Sequence, residues 1–265
     1  MKVELHDKDK INQFLTIIKN LKTFSAFITL DINNREEYSS IYIQGMDSSQ
    51  VALFEIKLIK EWFNSFEVSE NDEKEISVST EIFYKILNTY IEGQTIIIKN
   101  TQENNEKLEI AFVANDEIKD VYDKFFEIPI MERNNEKLDI PDVEYEADFS
   151  FPSTIMTTIM EEMSIFNENV NLFCSEESIK ITASGTEGKM ETSIPIESLE
   201  SFSIEEDKTL SLPYSLEYIN NIMSFNKISK TINIYLSDEY PMKISYLLDN
   251  SSFVNFFLAP KIIDD

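Results

Sequence analysis

The chain has 265 residues, 42% apolar composition and a formal net charge of -26, enough to bury one large core or two domains of ordinary size. Such acidity argues against general attraction to DNA or to anionic membranes, which are themselves negative. The single cysteine, Cys174, excludes an intrachain disulfide framework, and no apolar run approaches a bilayer span. Met1-Lys2-Val3-Glu4 lacks a signal-peptide pattern, so an intracellular, soluble protein is expected.

Residues 8–21 carry Ile11, Phe14, Leu15, Ile18 and Leu21 at helical spacing, with Lys8, Asn12 and Lys19 on a neighbouring face. From residue 23 the period changes to two. Strands are predicted over 24–31, 38–43, 51–58 and 76–79, with 45–49 as a tight turn. A second helix is predicted over 80–90, with Thr80 as N-cap and Ile82, Ile86 and Leu87 inward. Strands at 95–99, 106–113 and 118–128 complete the first half.

Residues 130–147 are polar, lack a sustained apolar period and contain Pro141, which cannot donate to a strand ladder. This stretch reads as a connector between domains 1–129 and 148–265, with Leu138 and Ile140 expected to lie against something. Beyond it the order of elements recurs. A helix over 152–164 buries Ile155, Met156, Ile159, Met160 and Met163 and turns Thr157 and Thr158 outward. Strands follow at 170–174, 178–183, 190–194 and 199–204, then a helix at 213–225 with Leu216, Ile219, Ile222 and Met223 inward. A hairpin, 231–237 with 242–247, and a last strand, 253–258, close the chain. The fold class expected is α+β with an internal duplication.

No catalytic constellation is visible. His6 stands alone, a zinc site is not expected with one Cys and one His, and four glycines form no phosphate-cradling loop. No metal and no cofactor is expected, and binding rather than catalysis is the expected activity.

Three stretches carry a family resemblance. Ile43-Gln44-Gly45-Met46-Asp47-Ser48-Ser49-Gln50-Val51-Ala52-Leu53 looks like the M-D-S-S-H/Q-V segment of proliferating cell nuclear antigen, the DNA sliding clamp. Lys180-Ile181-Thr182-Ala183-Ser184-Gly185 is similar to its K-F-S-A-S-G, and Phe257-Leu258-Ala259-Pro260-Lys261-Ile262 to its Y-L-A-P-K-I. In order, and with the duplicated pattern and central connector, the resemblance covers essentially the whole chain.

The resemblance implies two similar domains per subunit and a head-to-tail homotrimeric ring, with helices lining a central hole and antiparallel sheets outside. The implied subunit contact joins strand 119–128, with Lys119, Tyr122 and Phe125, to strand 187–194, with Met190 and Ile194. The implied partner pocket comprises Met46, Gln50, Val51 and Leu53, the connector residues Leu138, Ile140 and Pro141, then Pro241, Phe257, Leu258, Ala259 and Pro260. Such a groove suits a short helical turn with aromatic anchors. Lys8, Lys10, Lys19, Lys22, Lys85 and Lys227 would face encircled double-stranded DNA without reading its sequence.

The sequence also departs from the family. Gln50 stands where many members have His, and Phe257 where they have Tyr. Asn12, Gln13 and Asn88 replace expected lysines, Thr158 and Glu161 stand at arginine positions, and Glu217 and Ser224 replace basic residues. The function implied is a non-enzymatic polymerase processivity factor. It tethers DNA polymerase and other replication and repair enzymes, is opened by a clamp loader ATPase, and works in the nucleus or at another site of DNA replication, such as a viral one. The alternative is a clamp-derived interaction scaffold or mixed-ring subunit that encircles little DNA of its own.

Overall fold

The computed structural model of the protein describes residues 1–33, 39–68, 74–101, 105–115, 120–133 and 137–262. Two compact units are present. Unit 1 comprises Met1–Gly45, Glu55–Leu138 and Leu248–Phe253; unit 2 comprises Met46–Phe54, Asp139–Leu247 and Val254–Asp265.

The first nine strands and two helices run β1 (Lys2–Leu5), α1 (Lys8–Leu21), β2 (Phe27–Asn33), β3 (Ser40–Met46), β4 (Ala52–Ile59), β5 (Ser65–Glu67), β6 (Lys74–Ser79), α2 (Thr80–Leu87), β7 (Gln94–Lys99), β8 (Lys107–Ala114) and β9 (Lys124–Pro129). In unit 1 these give sheets in the order β5-β1-β7-β8-β9 and β6-β2-β3-β4. The rest follow as β10 (Ala147–Pro152), α3 (Ser153–Met163), β11 (Asn169–Cys174), β12 (Ser178–Gly185), β13 (Gly188–Pro195), β14 (Ser201–Ile204), β15 (Leu210–Ser215), α4 (Leu216–Met223), β16 (Thr231–Leu236), β17 (Met242–Leu247) and β18 (Phe253–Leu258). In unit 2 the orders are β14-β10-β16-β17-β18 and β15-β11-β12-β13. The second set repeats the first strand for strand, so the duplication expected from the sequence extends to sheet topology.

In unit 1, α1 starts where the carboxylate of Asp7 accepts from the Asp9 and Lys10 amides, and it buries Ile11, Phe14, Ile17, Ile18 and Leu21. Phe14 meets Trp62 with ring centroids 6.5 Å apart and Phe83 at 6.1 Å. Phe83 shifts the buried stripe of α2 away from the predicted one. The helix is capped by Ser79, not Thr80, and buries Thr80, Phe83 and Leu87, which leaves Ile82 46% exposed.

In unit 2, α3 likewise leaves Ile155 exposed and buries Thr157. That hydroxyl is satisfied inside by the Ser153 carbonyl at 2.8 Å and by the Asn226 amide at 3.0 Å, so its burial costs little. The predicted fourth helix began at Pro213, but Pro213 lies in β15. There its missing N–H is tolerated, because β15 is the outer strand beside β11. The short strands β1, β5 and β10 were not predicted; in β10, Ala147, Phe149 and Phe151 alternate inward. The strand predicted over 118–128 begins only at Lys124, and residues 116–119 lie outside the described residues.

Candidate docking loop, connector and phosphate-facing helices

Asp47 organises the turn that follows β3. Its carboxylate accepts from the Ser49 amide (2.8 Å), the Val51 amide (2.8 Å) and the Ala52 amide (2.7 Å). Tyr218 on α4 donates its hydroxyl to the same carboxylate at 3.0 Å, and Gln50 takes a positive φ of 58° to close the loop. Burial pushes the Asp47 carboxyl up, yet the three amides and the tyrosine outweigh it and hold the group below its ordinary value. All of these residues belong to unit 2.

The chain's last described stretch is tied to this loop within the same unit. The Ala259 amide donates to the Val51 carbonyl at 3.1 Å, and the Lys261 amide to the Pro213 carbonyl at 2.8 Å. Of the expected pocket residues in unit 2, Gln50, Pro141, Pro241, Ala259 and Pro260 are exposed, while Met46, Val51, Leu53, Ile140 and Phe257 are half-buried. Leu258 is fully buried, because the period of β18 turns it into the core.

Leu138 belongs to unit 1, where it is 45% exposed. Leu138 was expected to lie against something, and its backbone is held by the side-chain amide of Gln44 on β3. Sequence reasoning missed three residues. Asp47 sat unremarked inside the quoted M-D-S-S motif, Tyr218 has no local signal, and Gln44 is visible only as a polar residue in an alternating strand.

Lysines on the unit 1 helices divide into two groups. Lys8 pairs with Glu92 at 2.7 Å, Lys85 with Glu81 at 2.6 Å, and Lys22 lies 4.3 Å above the ring of Tyr84. Lys10 and Lys19, like Lys227 in unit 2, make no ion pair among the described residues. On the unit 2 helices the exposed charges Glu161, Glu162 and Glu217 are all acidic.

β9 and β13 are the outer strands of their sheets in units 1 and 2 respectively. Phe125 on β9 is 73% exposed, and Tyr122, two residues before the strand begins, is 62% exposed. On β13, Met190 is half-buried. Ile194, expected at the subunit contact, is buried in the unit 2 core. Lys119 lies outside the described residues.

Comparison with known proteins agrees with this architecture. Residues 8–137 match the family model for the N-terminal domain of proliferating cell nuclear antigen, and residues 139–261 the model for its C-terminal domain. Proliferating cell nuclear antigen of Chaetomium thermophilum is 28% identical over 260 residues, covering 94% of this chain and 96% of that protein. Proliferating cell nuclear antigen 2 of Drosophila melanogaster is 23% identical over 248 residues, covering 94% and 93%. Among solved structures, a PCNA2-PCNA3 complex from Sulfolobus tokodaii superposes with a TM-score of 0.83 at 22% identity, covering 98% of this chain and 99% of that one. The fold is thus a duplicated α+β clamp fold.

Proposed function

The chain belongs to the proliferating cell nuclear antigen family of sliding clamps, and we propose that it is a non-enzymatic processivity factor. Three copies close head to tail around duplex DNA, with β9 of one copy beside β13 of the next. Polymerase and other replication and repair enzymes dock short aromatic-bearing segments, which raises their effective concentration at the template. A loader ATPase opens the ring, at a replication site that is nuclear or viral. The single observation that carries the docking surface is the Asp47 loop. It is held rigid by charge-assisted hydrogen bonds while Met46, Val51 and the neighbouring Phe257 stay accessible.

The helices support retention by topology rather than by affinity. Arg35 and Arg133 are the only arginines in the sequence; Arg133 lies on no helix, and Arg35 lies outside the described residues. Phosphate attraction therefore rests on lysine point charges, two of which are already paired with carboxylates. The test is retention on DNA after loading onto a nicked circle. Loss on linearisation, with survival on the closed circle at raised salt, is the expected result. Equal loss from both templates refutes encirclement.

One observation favours a second reading, a mixed ring or scaffold. The exposed charges of α3 and α4 are acidic and would repel phosphates. Light scattering distinguishes the two: a stable species at three times the 30.9 kDa chain mass supports the homotrimer, and a monomer supports the mixed ring.

A further inference from the structure

Gln44 lies on the face of β3 opposite the buried Ile41 and Ile43, where an alternating strand carries polar side chains, yet it is only 9% exposed. A buried amide is costly unless its hydrogen-bonding capacity is met. Here it is met almost wholly by one distant residue. The Leu138 amide donates to Gln44 Oε1 at 2.8 Å, and Gln44 Nε2 donates to the Leu138 carbonyl at 2.9 Å. The second proton of Nε2 goes to the Tyr42 hydroxyl at 3.1 Å, and Tyr42 donates in turn to Glu55 at 3.2 Å. The side chain thus acts as a one-residue strand neighbour, oriented by Tyr42. It holds the Leu138 backbone while the Leu138 side chain stays 45% exposed. The adjoining Lys137 ammonium reaches Asp31 at 2.6 Å and Glu75 at 3.3 Å, but these are surface pairs of small worth.

We propose that Gln44 is a positioning residue for partner docking: by clasping the Leu138 backbone it presents that apolar side chain to a docked aromatic-bearing peptide. The proposal rests on the reading above that Leu138 contacts partners. Without the clasp, Leu138 samples many conformations, and a partner must first select the competent one.

The test uses the full chain and a fluorescein-labelled peptide with an aliphatic residue and two adjacent aromatics in one helical turn. Gln44→Met keeps the length without hydrogen bonds; Gln44→Glu keeps the shape but sets a carboxylate against the Leu138 carbonyl. Both should weaken binding roughly tenfold, the size expected when two side-chain hydrogen bonds are lost. Hydrogen exchange at the Leu138 amide should quicken, while exchange at Ile41 and Ile43 in the same strand stays as in the wild type. A purely structural role would quicken all three together, which overturns the proposal. Binding within twofold of wild type for both Gln44 variants, while Leu138→Ala weakens it, overturns the clasp alone. Unchanged binding by Leu138→Ala overturns the proposal together with the docking reading.

Discussion

Asp47 offers the sharpest perturbation, because one carboxylate closes a loop through three amides and a hydroxyl. In Asp47→Ala, the Ser49 and Val51 amides lie in partly open surroundings and can turn to water, but Ala52 is fully buried and its amide cannot. One orphaned buried donor costs about 1–3 kcal/mol, and losing the charged acceptor for the others adds about 1 kcal/mol, so roughly 3 kcal/mol is expected in all. Asp47→Asn keeps a neutral oxygen for Val51 and Ala52 and should cost about half as much. The sign of the pH effect follows from the lowered folded-state value. The ionised carboxylate stabilises the fold fully above the ordinary value of 3.8, and that contribution is lost as pH falls through the lower folded value. Urea unfolding of wild type and Asp47→Asn, at one fixed protomer concentration, should therefore show a constant gap near neutrality that closes in acid. A gap below about 0.5 kcal/mol, or one that persists unchanged into acid, would falsify this account.

Four further outcomes are expected. A Cβ on Gly185 would stand 2.2 Å from the Phe166 carbonyl oxygen, so Gly185→Ala should cost about 2 kcal/mol in urea unfolding, through overpacking at the β12–β13 turn. Cys174 is fully buried, and burial, with the Asp148 charge adding, pushes its thiol up to about 11; a thiol reagent at pH 8 should label it only after unfolding. Releasing Lys85 and Lys8 with Glu81→Gln and Glu92→Gln should steepen the dependence of log affinity for duplex DNA on log salt by about 2, near 0.9 per phosphate contact. Phe125→Asp puts a charge on the open side of β9 and should convert the species seen by light scattering to monomer without moving the melting temperature of the isolated protomer by more than a few degrees.

Much of the architecture follows from local pattern. The bounds of α1 coincide with those read from its apolar spacing, and the duplicated order of elements is legible because each helix and strand repeats its own period. What tertiary structure decided lies where two distant pieces meet. Ile82 and Ile155 look inward by period, but Phe83 in one helix and a hydroxyl-satisfied Thr157 in the other take the core positions. Tyr218 reaches Asp47 across 171 residues, and Gln44 reaches Leu138 across 94. A side-chain amide or carboxylate has no period, and its partner is chosen only once packing brings a particular backbone within about 3 Å. The sequence by itself determined the fold class and the duplication; the hydrogen bonds that hold the Asp47 loop and the Leu138 backbone in place were decided by the packed fold alone.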